Sequence, residues 1–143
     1  MERIAELFQR TTQFNTTGVK PSVGDLVRLA AEGGGIYAAS VRDRFGDHGL
    51  SGAAIVSPDG VILGFAMSCR VIGLKVEPTL IGQIAEDFRQ KAPELRAQII
   101  PTDRNVPARN LYRDTGFEAQ DDGWWSRPLG VALEGLVHVA AVG

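Results

Sequence analysis

One stretch restricts the folds open to this chain more than any other: Ser68-Cys69-Arg70-Val71-Ile72-Gly73-Leu74-Lys75, with the segment that follows it. An apolar run ending in Cys69 reads as a strand, a loop holding Gly73 comes next, and from Pro78 the apolar residues Leu80, Ile81, Ile84, Ala85 and Phe88 recur at helical spacing. Pro78 suits a first helical turn, where its missing N–H costs nothing, and Pro93 closes the segment. A tight loop entering a helix in this way aims unpaired backbone N–H groups at whatever lies in front of it, and the helix dipole adds partial positive charge. Such a place favours an anion, most simply a phosphate.

The rest of the chain sets the frame for that unit. At 143 residues and 44% hydrophobic content, one domain spanning 1–143 with one core is expected. A net charge of −2 with both signs interspersed gives no basic face, which argues against nucleic acid and anionic membrane surfaces as partners. No apolar run approaches the roughly 18 residues of a membrane span, and Met1-Glu2-Arg3 opens no signal-type segment, so the expected location is cytoplasmic. A single cysteine forms no internal disulfide, and two distant histidines offer no metal-ligand spacing. No metal is expected.

Taken in order, residues 2–12 put Ile4, Leu7, Phe8 and Thr11 on one helical face, and a polar loop follows in which Phe14 is the lone apolar residue. Ser22, with Asp25 three residues on, reads as the cap of a short second helix that Gly33-Gly34-Gly35 stops. Ile36 to Val41 and Leu50 to Val56 read as antiparallel strands around a turn at 43–49, Pro58-Asp59-Gly60 as the next turn, and Val61 to Cys69 as the third strand of a meander. Beyond the loop and its helix, Leu95 to Ile100 reads as a strand. Pro101-Thr102-Asp103 then leads into a helix from about Val106 that carries Ala108, Leu111 and Tyr112 and ends at Gly116. Asn105 would cap it. A hairpin around Asp121-Asp122-Gly123 closes the pattern, and the apolar tail from Gly130 has no assigned place. The class is α+β, with an antiparallel N-terminal meander followed by a β-α-β-α unit.

Arg70-x-x-Gly73-x-Lys75, between a strand and a helix, resembles the acyl-CoA pyrophosphate loop of the GNAT acyltransferase superfamily, whose pattern is Gln/Arg-x-x-Gly-x-Gly/Ala. Asn105-x-x-Ala108-x-x-x-Tyr112-x-x-x-Gly116-Phe117 is similar to that superfamily's second signature, whose Tyr lies near the sulfur of the acyl donor. The resemblance implies a GNAT-like fold, a mixed central sheet with flanking helices. Gln13-Phe14-Asn15, Asp43-Arg44-Phe45-Gly46-Asp47, Ser68-Cys69-Arg70-Val71 and Pro101-Thr102-x-x-Asn105-x-Pro107-Ala108 further resemble the C-terminal GNAT-like domain of FkbH-like proteins, over roughly residues 1–120. That family moves a glyceryl unit onto an acyl carrier protein by means of a phosphatase-like (HAD-type) domain. The Asp-x-Asp-x-Thr/Val motif of that second domain is absent here, and Lys75 stands where the superfamily loop has Gly or Ala.

By this resemblance the donor is acyl-CoA or an acylated phosphopantetheine arm, held by Cys69, Arg70, Val71, Gly73 and Lys75 together with Asn105 and Ala108. Tyr112 would protonate the departing thiolate, which a phenol with an unperturbed pKa of about 10 can do. Asp47 and His48, with Asp43, form the titratable cluster of the meander and are candidates for the base that deprotonates an acceptor, although residues of these types are also ordinary turn formers. Cys69 reads more readily as a small buried hydrophobe than as a nucleophile. Two functions follow: a GNAT acyltransferase of polyketide or other secondary metabolism, or a catalytically silent module that docks a carrier protein or a phosphatase-like partner.

Overall fold

Apolar residues on alternate sides of a strand require cover on both faces of the sheet, and β2 shows that requirement most directly. In the computed structural model, which describes residues 1–11, 14–43, 46–68, 71, 74–101 and 104–129, with backbone alone at Asp43 and His48, β2 spans Gly46–Val56. Its Ala53 and Ile55 join a core with Leu7, Phe8 and Leu26, whereas Ala54 and Val56 join a second core with Ile81, Ile84, Phe88 and Tyr112. The first core lies under α1 (Glu2–Arg10) and α2 (Val23–Ala31), the second under α3 (Val76–Phe88) and α4 (Leu111–Asp114). The cap of α2 forms as the sequence predicts. Ser22 Oγ accepts from the Asp25 N–H at 3.1 Å and Asp25 Oδ2 accepts from the Ser22 N–H at 3.0 Å.

The described strands form one mixed sheet in the order β1-β2-β3-β4-β6-β5, with β1 at Gly35–Asp43, β3 at Val61–Met67, β4 at Glu94–Ala97, β5 at Glu118–Ala119 and β6 at Trp125–Pro128. The meander and closing hairpin agree with the sequence pattern, and so does the turn at 58–60, where Gly60 has φ 88. Three expectations need correction. The turn expected at 43–49 is shorter: β2 starts at Gly46, and two register shifts against β1, between Ala39 and Ser40 and between Val41 and Arg42, place Asp47 and His48 on a bulged strand. Glycines at 46 and 49 with positive φ absorb the irregularity. The helix expected from Val106 is a 3-10 turn at Val106–Ala108, where the N–H groups of Ala108 and Arg109 reach carbonyls three residues back, followed by the separate short α4. The strand expected to run to Ile100 leaves the ladder after Ala97. Cys69, Arg70, Gly73 and the tail from Gly130 fall outside the described residues.

The decisive departure from regularity is in β3. Ile55 opposes Gly64 while Val56 opposes Ile62, so Leu63 is an extra residue, a β-bulge. Parallel pairing between β3 and β4 exists only at Val61 with Arg96 and Ile62 with Ala97, immediately before the bulge. Past it, the strands part.

Candidate functional site

A fork between two parallel strands leaves backbone donors and acceptors on its inner edges, and buried groups of that kind need partners. Here residues 14–16, from the loop between α1 and α2, supply them. The Thr16 N–H donates to the Phe65 carbonyl at 3.1 Å, the Met67 N–H to the Phe14 carbonyl at 2.9 Å, and the Ile100 N–H to the Thr16 carbonyl at 2.8 Å. Asn15 thus lies opposite Ala66 in an antiparallel bridge. Phe14, Asn15 and Thr16 are 3%, 1% and 0% exposed, which marks them as interior chain although most loops run over the surface. The Asn15 side chain holds the shape: Oδ1 accepts from the N–H groups of Thr17 (3.3 Å) and Gly18 (2.9 Å), and Nδ2 donates to the carbonyls of Thr11 (3.4 Å) and Val19 (3.1 Å). Thr17 Oγ1 donates to the carbonyl of the bulge residue Leu63 at 2.9 Å.

The residues expected to handle a donor meet at this fork from the other side. Tyr112 is fully buried, its ring 5.0 Å from that of Phe117, and its hydroxyl is 3.4 Å from Thr16 Oγ1. Burial drives its phenol well above the ordinary tyrosine range, with the Thr16 contact opposing weakly. At this position it is a proton donor and not a phenolate. Asn105 does not cap the 3-10 turn; its Nδ2 donates to the carbonyls of Asn15 (3.1 Å) and Ile100 (2.8 Å), bridging the inserted segment to the outgoing end of β4. Ala108 is buried in the same core as Tyr112.

The loop that the sequence singled out leaves the open end of β3. The Val71 N–H donates to the Ser68 carbonyl and the Leu74 N–H to the Val71 carbonyl, both at 3.1 Å, and Val71 is buried. Lys75 then takes φ 66 and ψ 26 as the residue before α3, the one non-glycine residue with positive φ among the described residues. The Lys75 side chain makes no capping hydrogen bond to this helix start. The α3 N-terminus lies close to the sheet because position 52 has no side chain; a Cβ there would stand 2.8 Å from Val76 Cγ1 and 3.2 Å from Leu80 Cδ1. One group at this end was not anticipated. Glu77, four residues before Ile81 on an otherwise apolar stripe, has a carboxylate oxygen that is buried without a hydrogen-bond partner. An acid on an apolar stripe was the available signal.

Asp47 is elsewhere, though at the same end of the sheet. Gly52 opposes Met67, so residues 46–51 extend beyond the end of β3, and the Ser68 N–H donates to the Ser51 carbonyl at 2.8 Å. Asp47 itself is paired with Arg42 at 3.3 Å and accepts from the Gly49 N–H at 2.8 Å. Among the described residues, no three His, Cys, Asp or Glu side chains are grouped to hold a metal ion, and no helix is long and apolar enough to cross a membrane.

A comparison of the sequence with protein-family models finds no match, and one with curated proteins finds none either. Solved structures do match. The ribosomal-protein-S18-alanine N-acetyltransferase from Escherichia coli aligns with a TM-score of 0.61 over 94% of this chain and 90% of its own, at 13% identity. A GNAT superfamily phosphinothricin acetyltransferase from Sinorhizobium meliloti, in complex with acetyl-CoA, aligns at 0.58 over 90% and 81%, with 17% identity. The aminoglycoside acetyltransferase AAC(6')-Ib in complex with coenzyme A aligns at 0.51 over 82% of each chain, with 20% identity. At identities this low the matches show the fold alone, which is α+β and GNAT-like.

Proposed function

We propose that this chain is a GNAT-type acyltransferase whose donor is acyl-CoA or the acylated phosphopantetheine arm of a carrier protein. The observation that supports this most is the fork that the Leu63 bulge opens between β3 and β4, with a loop and helix start at its open end. An extended arm bearing amides fits between two strand edges, and the motif Arg70-x-x-Gly73-x-Lys75 before the start of α3 supports a phosphate site there. Structural neighbours with acetyl-CoA or coenzyme A in their crystals support the same donor. In the transfer, an acceptor nucleophile adds to the thioester carbonyl, the tetrahedral intermediate expels the thiolate, and the Tyr112 hydroxyl delivers a proton to sulfur while a base takes the acceptor's proton. Asp47 and His48, on the hairpin beyond β3, are the candidates for that base. The resemblance of Gln13-Phe14-Asn15 and Pro101-Thr102-x-x-Asn105-x-Pro107-Ala108 to FkbH-like proteins supports a role in building-block supply for polyketide-type metabolism.

Calorimetry with acetyl-CoA, free CoA and a phosphopantetheinylated carrier protein tests the reading. Binding of at least one is expected, and absence of binding by all three at millimolar concentration refutes it. A second reading, a silent module that docks a carrier protein or a phosphatase-like partner, is favoured by one observation: the fork is filled by the chain itself. Such a module binds a carrier protein and releases no thiol from an acyl donor.

A further inference from the structure

We infer that residues 14–16 are a built-in occupant of the donor slot, and that a pantetheine arm binds only when this strap withdraws. The inference rests on the donor reading above and adds a resting state to it.

The groups that would meet the arm are the groups the strap engages. The arm's amides would pair with the inner edge of β3; there the Phe65 carbonyl and the Met67 N–H are taken by Thr16 and Phe14. The side-chain amide of Asn105, a candidate reader of the arm's carbonyls, donates to a peptide carbonyl of the strap. The Tyr112 hydroxyl, expected beside the donor sulfur, contacts Thr16 Oγ1. A peptide segment thus presents one carbonyl to Asn105, a donor and an acceptor to β3, and an acceptor to the Tyr112 hydroxyl, the set an amide-bearing thioester would present. Two such occupants cannot share one edge.

The strap also has the features of a part that moves as a unit. The Asn15 side chain ties it to Thr11, Thr17, Gly18 and Val19 by hydrogen bonds that remain within the loop, so these survive withdrawal. Among the described residues, the bonds lost are three between backbones, one from Asn105, and the hydroxyl contacts of Thr16 and Thr17. The arm restores those on β3, Asn105 and Tyr112.

A reversible lock tests this. The bonds flanking Asn15 and Ala66 make them a non-hydrogen-bonded antiparallel pair, whose Cα atoms are typically about 4.5 Å apart, within the range of about 4.4–6.8 Å that a disulfide spans. The variant Asn15→Cys/Ala66→Cys, with the native Cys69 kept and the 15–66 linkage confirmed by peptide mapping, is titrated with acetyl-CoA in calorimetry while oxidised and again after reduction. The oxidised form is expected to bind at least about tenfold more weakly, with affinity returning on reduction, a difference of about 1.4 kcal/mol. Equal binding by the two forms overturns the strap and leaves the donor reading intact. No binding by either form or by the unmodified chain overturns the donor reading, and the strap with it. Amide exchange on the unmodified chain gives a second readout. Saturating acetyl-CoA should speed exchange of the Thr16 and Ile100 N–H groups, and slowed or unchanged exchange at Thr16 with donor bound refutes withdrawal.

Discussion

Replacing Lys75 separates backbone from charge at the entry to α3. Lys75 is held at φ 66, in the left-handed region, where an L-residue loses about 1–2 kcal/mol and glycine loses nothing sterically. Its carbonyl accepts from the Thr79 N–H at 3.3 Å and from Thr79 Oγ1 at 2.8 Å, and neither bond involves the side chain. Lys75→Gly therefore keeps the helix start and removes the strain, while the freer unfolded chain returns about 0.5–1 kcal/mol of that gain. The net expectation is a stabilisation of about 0.5–1 kcal/mol, or roughly 2–4 °C in melting temperature for a chain of this size. Lys75→Ala keeps the strained φ and loses only the ammonium, so its stability should stay within about 0.5 kcal/mol of the parent. Urea and thermal unfolding of the three proteins read this directly. If Lys75→Gly is no more stable than Lys75→Ala, the left-handed conformation carries no strain and the argument fails. Donor titration of the same pair sorts out the phosphate: equal weakening by both substitutions assigns the contact to the ammonium, whereas unchanged affinity in Lys75→Ala assigns it to the loop backbone.

Gly64→Ala should cost about 1–3 kcal/mol in urea unfolding, because the new Cβ stands 2.4 Å from Val19 Cγ1 and 3.3 Å from Phe8 Cε1; Gly82→Ala, in α3 with nothing within 4 Å, should instead gain about 0.5–1 kcal/mol. Reversal of either sign contradicts the packing described. The buried Tyr112 phenol is pushed up, so at alkaline pH the unfolded chain loses its proton first. Stability from this group is complete below about pH 10 and falls above it by about 1.4 kcal/mol per pH unit until the folded phenol also ionises; Tyr112→Phe should flatten the alkaline limb of the stability curve, and an unchanged limb refutes it. The same variant should lower the transfer rate more than it weakens donor binding if the hydroxyl protonates sulfur. Gly73→Val should abolish acetyl-CoA binding with a stability loss of no more than about 2 kcal/mol, and retained affinity in a folded variant excludes Gly73 from the phosphate loop.

Local chemistry was legible in the sequence. The Ser22 and Asp25 pair, the Pro58-Asp59-Gly60 turn and the Leu80, Ile84, Phe88 stripe each declare themselves within a few residues, and each is found in place. Expectations failed where a decision depended on distant chain. Asn105 has the chemistry of a helix cap, but two carbonyls, one of them 90 residues away, compete for its amide and win. Leu95 to Ile100 has the pattern of a strand, yet of these only Leu95, Arg96 and Ala97 pair in the ladder, because the neighbouring strand has been bent away by its own bulge. The bulge had a signal in Gly64, a glycine inside an apolar strand pattern.

The fork and its strap explain why site residues were easier to name than to place. A motif fixes the kind of residue at a position, and Tyr112 and Asn105 do converge on one spot with hydroxyl and amide directed inward. What they face is set by pairing across the fold: Phe14 to Thr16 join β3 through an antiparallel bridge that no periodicity in an eight-residue polar loop encodes. The one hint was Phe14, a lone aromatic in that loop, which packs 6.3 Å from Phe65 across the fork. An aromatic at that position brings the loop to the strand edge, and the unpaired backbone of the edge then holds it there. The bulge that opens a slot in β3 thus also creates the demand for an occupant, which the chain meets with its own residues 14–16; this is the edge for which, in the proposed transfer, a donor with matching amides competes.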